Sequence, residues 1–312
     1  PGYTTRVITD KAIRMLRERD QEKPFFLMVA YTATHSKWEG HPERLVSSYR
    51  NCTFDDIPDD PPYPFGENAL ESNSVDRSDP REALAQYYAA VTHLDEATGE
   101  LLDALDALEL RDETLFIYTS DHGLNCGHHD IWGKGNGTMP LNMVEESIRI
   151  PMIFSQPGTL PEGSRLEGFV DHTDLFQTLL EYSGIPTGTA PGELPGKGFL
   201  EALLAPQKPY AFKEIQYGEY GPLQMARTQR YKLILRQMFG NNELFDLEQD
   251  PRETTNIYDN PDVSDVRDEL AEKTRSFFQR YSEPGKSGLL GAALPHCNTT
   301  APWQQKSNKS SE

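Results

Sequence analysis

Apolar and polar positions alternate along this chain in blocks of different period. Between residues 83 and 110, Leu84, Tyr87, Tyr88, Val91, Leu94, Leu101, Leu102, Leu105 and Leu108 recur every three or four residues. Asp95, Glu96, Glu100, Asp103 and Asp106 fall between them. That period predicts a long amphipathic helix with its acids in water. A shorter helix is predicted around Ala12, Ile13 and Leu16, capped by Thr9 and Asp10 and stopped by Pro24. Phe25–Tyr31 (FFLMVAY) is a continuous apolar run, expected to be a strand buried on both faces of a parallel sheet. Thr114–Thr119 and Ile150–Phe154 read as two further strands, and Leu175–Tyr182 as a helix stopped by Gly184.

This order predicts an α/β domain with a mostly parallel sheet flanked by helices over 1–208. The texture then changes. Phe212–Tyr217, Leu223–Thr228, Tyr231–Arg236 and Glu243–Leu247 are short strand patterns joined by Gly and Asn turns, and a helix follows from Val263 to Tyr281. A smaller α+β subdomain with an antiparallel sheet is expected over 209–283, and a tail poor in core residues over 284–312. Residues 51–80 are rich in Pro, Asp and Asn and read as a long loop.

Composition narrows the class. A net charge of −19 opposes general nucleic-acid binding. No run reaches the roughly 18 apolar residues of a membrane helix. The three cysteines, Cys52, Cys126 and Cys297, form neither a CxxC pair nor a zinc pattern. The opening PGYTTRVITDKAIRML carries no signal peptide and no initiator Met, as expected of a piece that begins within a fold.

Chemistry concentrates in Tyr118–Pro140, where 23 residues hold two acids, three histidines, a lysine and five glycines. A buried core has no use for that mixture, because each charge would need a partner or lose its ionisation. Asp121 and His122 follow a strand and offer one carboxylate oxygen and one imidazole nitrogen to a divalent cation, with Gly123 giving the turn its freedom. Two ligands do not complete a site. Lys134, between Gly133 and Gly135, is a point charge suited to a sulfate or phosphate oxygen or to a leaving oxygen. His35, just past the Phe25–Tyr31 run, suits a donor or general acid, and His128 or His129 a substrate contact. Ligands bind beyond the carboxyl ends of strands in such sheets, so His35 and Asp121 are expected to converge. His41, His93 and His172 read as structural or exposed. The loop Asn51–Pro80, Trp38 and the segment 216–221 (QYGEYG) are candidates for the mouth of the site.

Tyr-Thr-Ser-Asp-His-Gly, then Gly-His-His, Trp-Gly-Lys, Glu-Glu-Ser-Ile-Arg-Ile-Pro and Pro-Gly resemble the second half of a type I, formylglycine-dependent sulfatase of the alkaline phosphatase superfamily. The resemblance implies that Asp121 and His122 bind a metal, usually Ca2+. It implies that Lys134 and His35 bind the sulfate group and that His129 lies near the substrate. It implies a structural role for Arg149. It also implies an N-terminal Cys/Ser-x-Pro/Ala-x-Arg motif, whose Cys or Ser becomes the formylglycine nucleophile, and an N-terminal Asp-Asp metal pair. Cys52 is followed by TFDD, Cys126 by GHHD and Cys297 by NTTA, and neither Asp55-Asp56 nor Asp59-Asp60 lies in the expected order. The expectation is therefore a sulfuric ester hydrolase whose missing N-terminal half is its partner, with this stretch inactive alone. A sulfated carbohydrate is the expected substrate, and the resemblance favours a periplasmic or secreted protein. The alternatives are a phosphonate or phosphate mono- or diesterase of the same superfamily, and a degenerate protein that binds sulfated glycans. Sequons at Asn51, Asn136, Asn298 and Asn308 decide nothing by themselves.

Overall fold

The computed structural model describes residues 3–64, 66–67, 78–190, 192–237, 240–283 and 285–288. Most of the expected tail, with Cys297, Asn298 and Asn308, and part of the 51–80 loop lie outside these residues. The chain forms two compact units. The first falls within Pro1–Pro58, Leu70–Tyr118 and Met152–Thr159, and the second within Asp59–Ala69, Thr119–Pro151 and Leu160–Glu312.

In the first unit, helices α1 (Thr4–Glu18) and α2 (Glu43–Tyr49) pack on the long helix α3 (Pro80–Ala107). Helix α3 starts where the Asp79 side chain accepts from Glu82 N at 3.1 Å. Pro80 takes the first turn, which needs no donor there. The buried face of α3 uses Leu84, Leu94, Leu101 and Leu105, as the period predicts. Ala85, Ala89 and Ala90 fill the gaps and let the helices approach, whereas Val91 points outward. Helix α1 begins earlier than expected. Thr9 is no cap: it is buried mid-helix, bonding Thr5 O at 2.8 Å and the Tyr31 hydroxyl at 3.0 Å. The strand pair β2 (Phe116–Thr119) and β6 (Met152–Ser155) agrees with two predicted strands to within two residues.

The expected Phe25–Tyr31 strand is not formed. Leu27, Val29 and Tyr31 are half-buried, while Phe26 is 82% and Met28 78% exposed. The alternation is that of a strand with one covered face. Among the described residues no strand pairs with it, so a run apolar enough for two covered faces has one.

In the second unit, helix α5 (His172–Tyr182) carries a capping box of Asp171 and Asp174. Gly184 ends it at φ +65°, the left-handed stop expected there. The short helix α6 (Leu200–Leu204) packs against α5. The antiparallel sheet is ordered β10 (Glu243–Asp246), β9 (Tyr231–Arg236), β8 (Leu223–Arg227), β7 (Gln216–Tyr220). The first predicted strand of this sheet lies about four residues later than expected. Successive residues of β9 serve opposite faces. Leu233 and Leu235 pack with Leu244, Leu270 and Ala271 under helix α7 (Ser264–Tyr281). Ile234 joins Met225, Leu223, Phe245 and Met143 on the other face, against Leu141 and Ile148. The chemistry-bearing loop therefore rests on the sheet through 141–148, which includes the short helix α4 (Glu145–Ile148). Among the described residues no helix is long and apolar enough to cross a membrane.

Candidate active site

The loop 119–151 follows β2 and is built around three two-residue strands. They are β3 (Asn125–Cys126) and β4 (Trp132–Gly133), which pair with each other, and β5 (Thr138–Met139), which pairs with β1 (Gly66–Glu67) from outside the loop. Helix α4 closes it.

Asp121 and His122 do converge. Asp121 Oδ2 lies 3.3 Å from His122 Nε2, and the Asp121 side chain is 82% exposed. His122 Nδ1 donates to Gly123 O at 2.8 Å. That leaves Nε2 with its lone pair in the neutral ring. An oxygen and a nitrogen lone pair this close can share one cation. Two ligands about 2.3–2.4 Å from one cation at right angles stand about 3.3 Å apart. The pair therefore fits two neighbouring positions on a divalent ion. No third His, Cys, Asp or Glu completes a cluster among the described residues.

Gly123 is needed for close approach rather than for an unusual turn. Its N–H donates to Ser147 O at 3.0 Å. An added Cβ would stand 2.8 Å from Arg149 O and closer still to Glu146 O. Arg149 itself is exposed at the end of α4.

Lys134 is half-buried, and its ammonium has no ion pair or hydrogen bond among the described residues. Its backbone is held firmly: Lys134 O accepts from Gly137 N at 2.7 Å and from Asn142 Nδ2 at 3.2 Å. Gly135 must lack a side chain, because a Cβ there would meet the Tyr220 ring at 2.7 Å. The QYGEYG segment thus touches the loop at the residue after Lys134.

The other candidates fall differently. His129 is 2% exposed, with φ +54°, and Asp130 follows at φ +58°. This is a strained pair for residues that carry a Cβ. The His129 carbonyl accepts from Tyr63 N at 2.9 Å, and its Nε2 faces Glu146 Oε2 at 3.7 Å. His128 is half-buried. Burial pulls its imidazole below the ordinary value, against the Glu146 and Asp60 carboxylates. His35 lies in the first unit, in a turn rather than after a strand. Its ring is exposed and its Nδ1 meets Ser36 O at 2.6 Å. Trp38 is buried against Tyr87 and is no mouth residue. His41 and His93 pack on each other, as structural histidines do. Cys52 is a free thiol, and Cys126 is buried.

Pattern reasoning missed the buried polar frame under the loop. Asn125, Asn142 and Ser147 are almost fully buried and bonded to one another. Tyr63 donates to Glu243 at 2.7 Å, and Arg236 grips Glu243 and Leu141 O, each at 2.5 Å. Lone polar residues among turn formers carry no period that would reveal such partners.

The Sulfatase family model matches residues 1–185, and the chain belongs to that family. A second model, N-sulphoglucosamine sulphohydrolase, C-terminal, matches 141–280. The chain is 27% identical over 281 residues to an arylsulfatase of Clostridium perfringens, covering 86% of this chain and 56% of that protein. It is 26% identical to an N-acetylglucosamine-6-O-sulfatase of Bacteroides thetaiotaomicron, covering 90% and 62%. A solved structure in complex with D-glucosamine-2-N,6-O-disulfate superposes with a TM-score of 0.75 at 23% identity, over 91% of this chain and 71% of that one. The chain spans about half the length of the curated relatives it matches.

Proposed function

We propose that the full-length protein hydrolyses sulfuric esters and that these 312 residues supply the anion-binding side of its site. The observation that carries this is Lys134: a half-buried cation without a counter-ion among the described residues, thirteen residues after Asp121, on a loop whose backbone is pinned. Such a group neutralises a sulfate oxygen, or the leaving oxygen as its bond to sulfur breaks. His35, with an exposed ring, is assigned the role of a proton donor to a sulfate-ester oxygen. His128 is assigned a substrate contact. His129, being buried, is assigned a supporting contact behind it.

Asp121 and His122 would hold a divalent cation, Ca2+ by the family resemblance, and a bound cation would add positive charge facing the sulfate. The formylglycine nucleophile and the remaining metal ligands are proposed to come from the part of the family's chain that these residues do not span. Alone, this chain is expected to turn nothing over.

The relatives named for aryl sulfates and for N-acetylglucosamine 6-O-sulfate support a sulfate ester. Tyr220 is 38% exposed and packs on Gly135 beside Lys134. It supports a sugar as the alcohol part, since a ring face suits an aromatic platform. The test is turnover by the full-length enzyme of a 6-O-sulfated N-acetylglucosamine, an aryl sulfate and a phosphonate monoester. Preference for the sulfated sugar is expected. Preference for the phosphonate would move the protein to the phosphonate hydrolase reading, and binding of sulfated sugar without turnover of any ester to that of a degenerate binding protein.

A further inference from the structure

We infer that Asn142 is a positioning residue for Lys134, acting through a buried relay with Ser147 and Asn125. The inference rests on the reading of Lys134 as the anion-binding group. Asn142 is 0% exposed. Its Nδ2 donates to Lys134 O at 3.2 Å and to Thr138 Oγ1 at 3.0 Å, with Gly135 O at 3.4 Å. Its backbone N–H donates to Gly135 O at 2.9 Å. Its Oδ1 accepts from Ser147 Oγ at 2.7 Å, and Ser147 Oγ accepts from Asn125 Nδ2 at 2.8 Å. Asn125 Nδ2 also donates to Gly133 O at 3.1 Å.

Every bond in the relay has a fixed direction. The hydroxyl proton of Ser147 is committed to Asn142, which forces the Asn142 amide to present its donors to the Lys134 turn. Three consecutive carbonyls, those of Gly133, Lys134 and Gly135, are thus held from below by two side chains. The glycines on either side of Lys134 would otherwise let this backbone wander. Among the described residues the ammonium has no partner while its base is fixed, the arrangement expected of a charge aimed at a ligand. Burying two amides costs desolvation that apolar residues would not incur. Here part of that cost is offset by the bonds the two amides make to the loop carbonyls.

The test is a double-mutant cycle in the full-length enzyme, with Asn142→Ala, Lys134→Ala and the two combined. It reads kcat and KM for a sulfate ester, inhibition by inorganic sulfate, and melting temperature. Asn142→Ala is expected to lower kcat/KM by about 10- to 100-fold, the range of a misplaced catalytic group, and to weaken sulfate inhibition. The combined variant should match Lys134→Ala alone within about twofold, because Asn142 then has nothing left to position. Losses that multiply in the combined variant would make Asn142 a merely structural residue and overturn the inference. So would a folded Asn142→Ala enzyme that keeps its kcat/KM. If Asn142→Ala does not fold, Ser147→Ala, which removes only the hydroxyl that orients the amide, enters the same cycle with the same expectations. A silent Lys134→Ala overturns the assigned role of Lys134, and this inference with it. An impaired Lys134→Ala beside a silent Asn142→Ala overturns this inference alone.

Discussion

Asp121 Oδ2 and His122 Nε2 stand 3.3 Å apart, while the other nitrogen of the same imidazole donates to the Gly123 carbonyl. A cation held between them would reconcile the two lone pairs. The full-length protein should then bind one divalent ion per chain. Calcium at a hundredfold excess over its Kd should then stabilise the protein by about 2.7 kcal/mol through linkage. Asp121→Asn and His122→Ala should each abolish that stabilisation and lower the bound metal measured by elemental analysis. An unchanged metal content in both variants would remove this pair from the metal shell.

Gly123 has a neighbour on each side of its missing side chain, the carbonyls of Glu146 and Arg149. A methyl group there must push helix α4 away from the Asp121–His122 turn. Gly123→Ala is expected to destabilise by about 1–3 kcal/mol, the usual cost of overpacking, and to weaken metal binding together with stability. Chemical denaturation with and without calcium measures both. A variant of wild-type stability would show that the loop yields without cost.

The candidate site residues were more legible in the sequence than the frame beneath them. Asp121, His122 and Lys134 stand out because charges clustered with glycines after a strand have no use in a core. Helix α3 and the C-terminal sheet were legible because period 3.6 and period 2 each leave a trace in composition. Asn142 and Asn125 leave none. A polar residue between apolar ones looks the same whether it faces water or a carbonyl beneath the site, and only the fold supplies the partner. Phe25–Tyr31 fails in another way. Its apolar run reports the cover the segment can accept, and the described residues provide cover on one face.

Lys232 is fully buried, with its Nζ 2.8 Å from Glu253 Oε1 and 3.1 Å from Glu145 Oε1, and Arg227 completes the group 3.2 Å from Glu145. Burial raises the Glu253 carboxyl against the pull of Lys232. Burial pushes Glu145 up as well, but Lys232 and Arg227 together override it and hold that carboxyl low. Lys232→Met leaves two carboxylates with one cation. It should cost about 3–5 kcal/mol at neutral pH, as broken buried pairs do. A carboxyl whose folded pKa is raised binds its proton more tightly in the folded state, so the deficit should shrink as pH falls from about 7 toward the ordinary glutamate range. Urea titrations at pH 7 and pH 5.5 measure this, and a deficit that grows toward acid would contradict it.

His41 and His93 pack edge to face with centroids 5.8 Å apart, and Tyr3 closes on His93 at 5.3 Å. Burial lowers both imidazoles. For His41 the neighbouring His93 adds to the effect, and for His93 the Glu96 and Glu100 carboxylates oppose it while Arg44 reinforces it. A lowered histidine takes up its proton more readily when unfolded. Stability should therefore be flat above about pH 6.5 and fall as pH drops from there through the lowered folded values. His41→Phe keeps the ring contact and removes one titrating group. It is expected to flatten the melting-temperature profile between pH 7.5 and 5.5 without a large change at pH 7.5. An unaltered acid slope in both His41→Phe and His93→Phe would show that other groups set it.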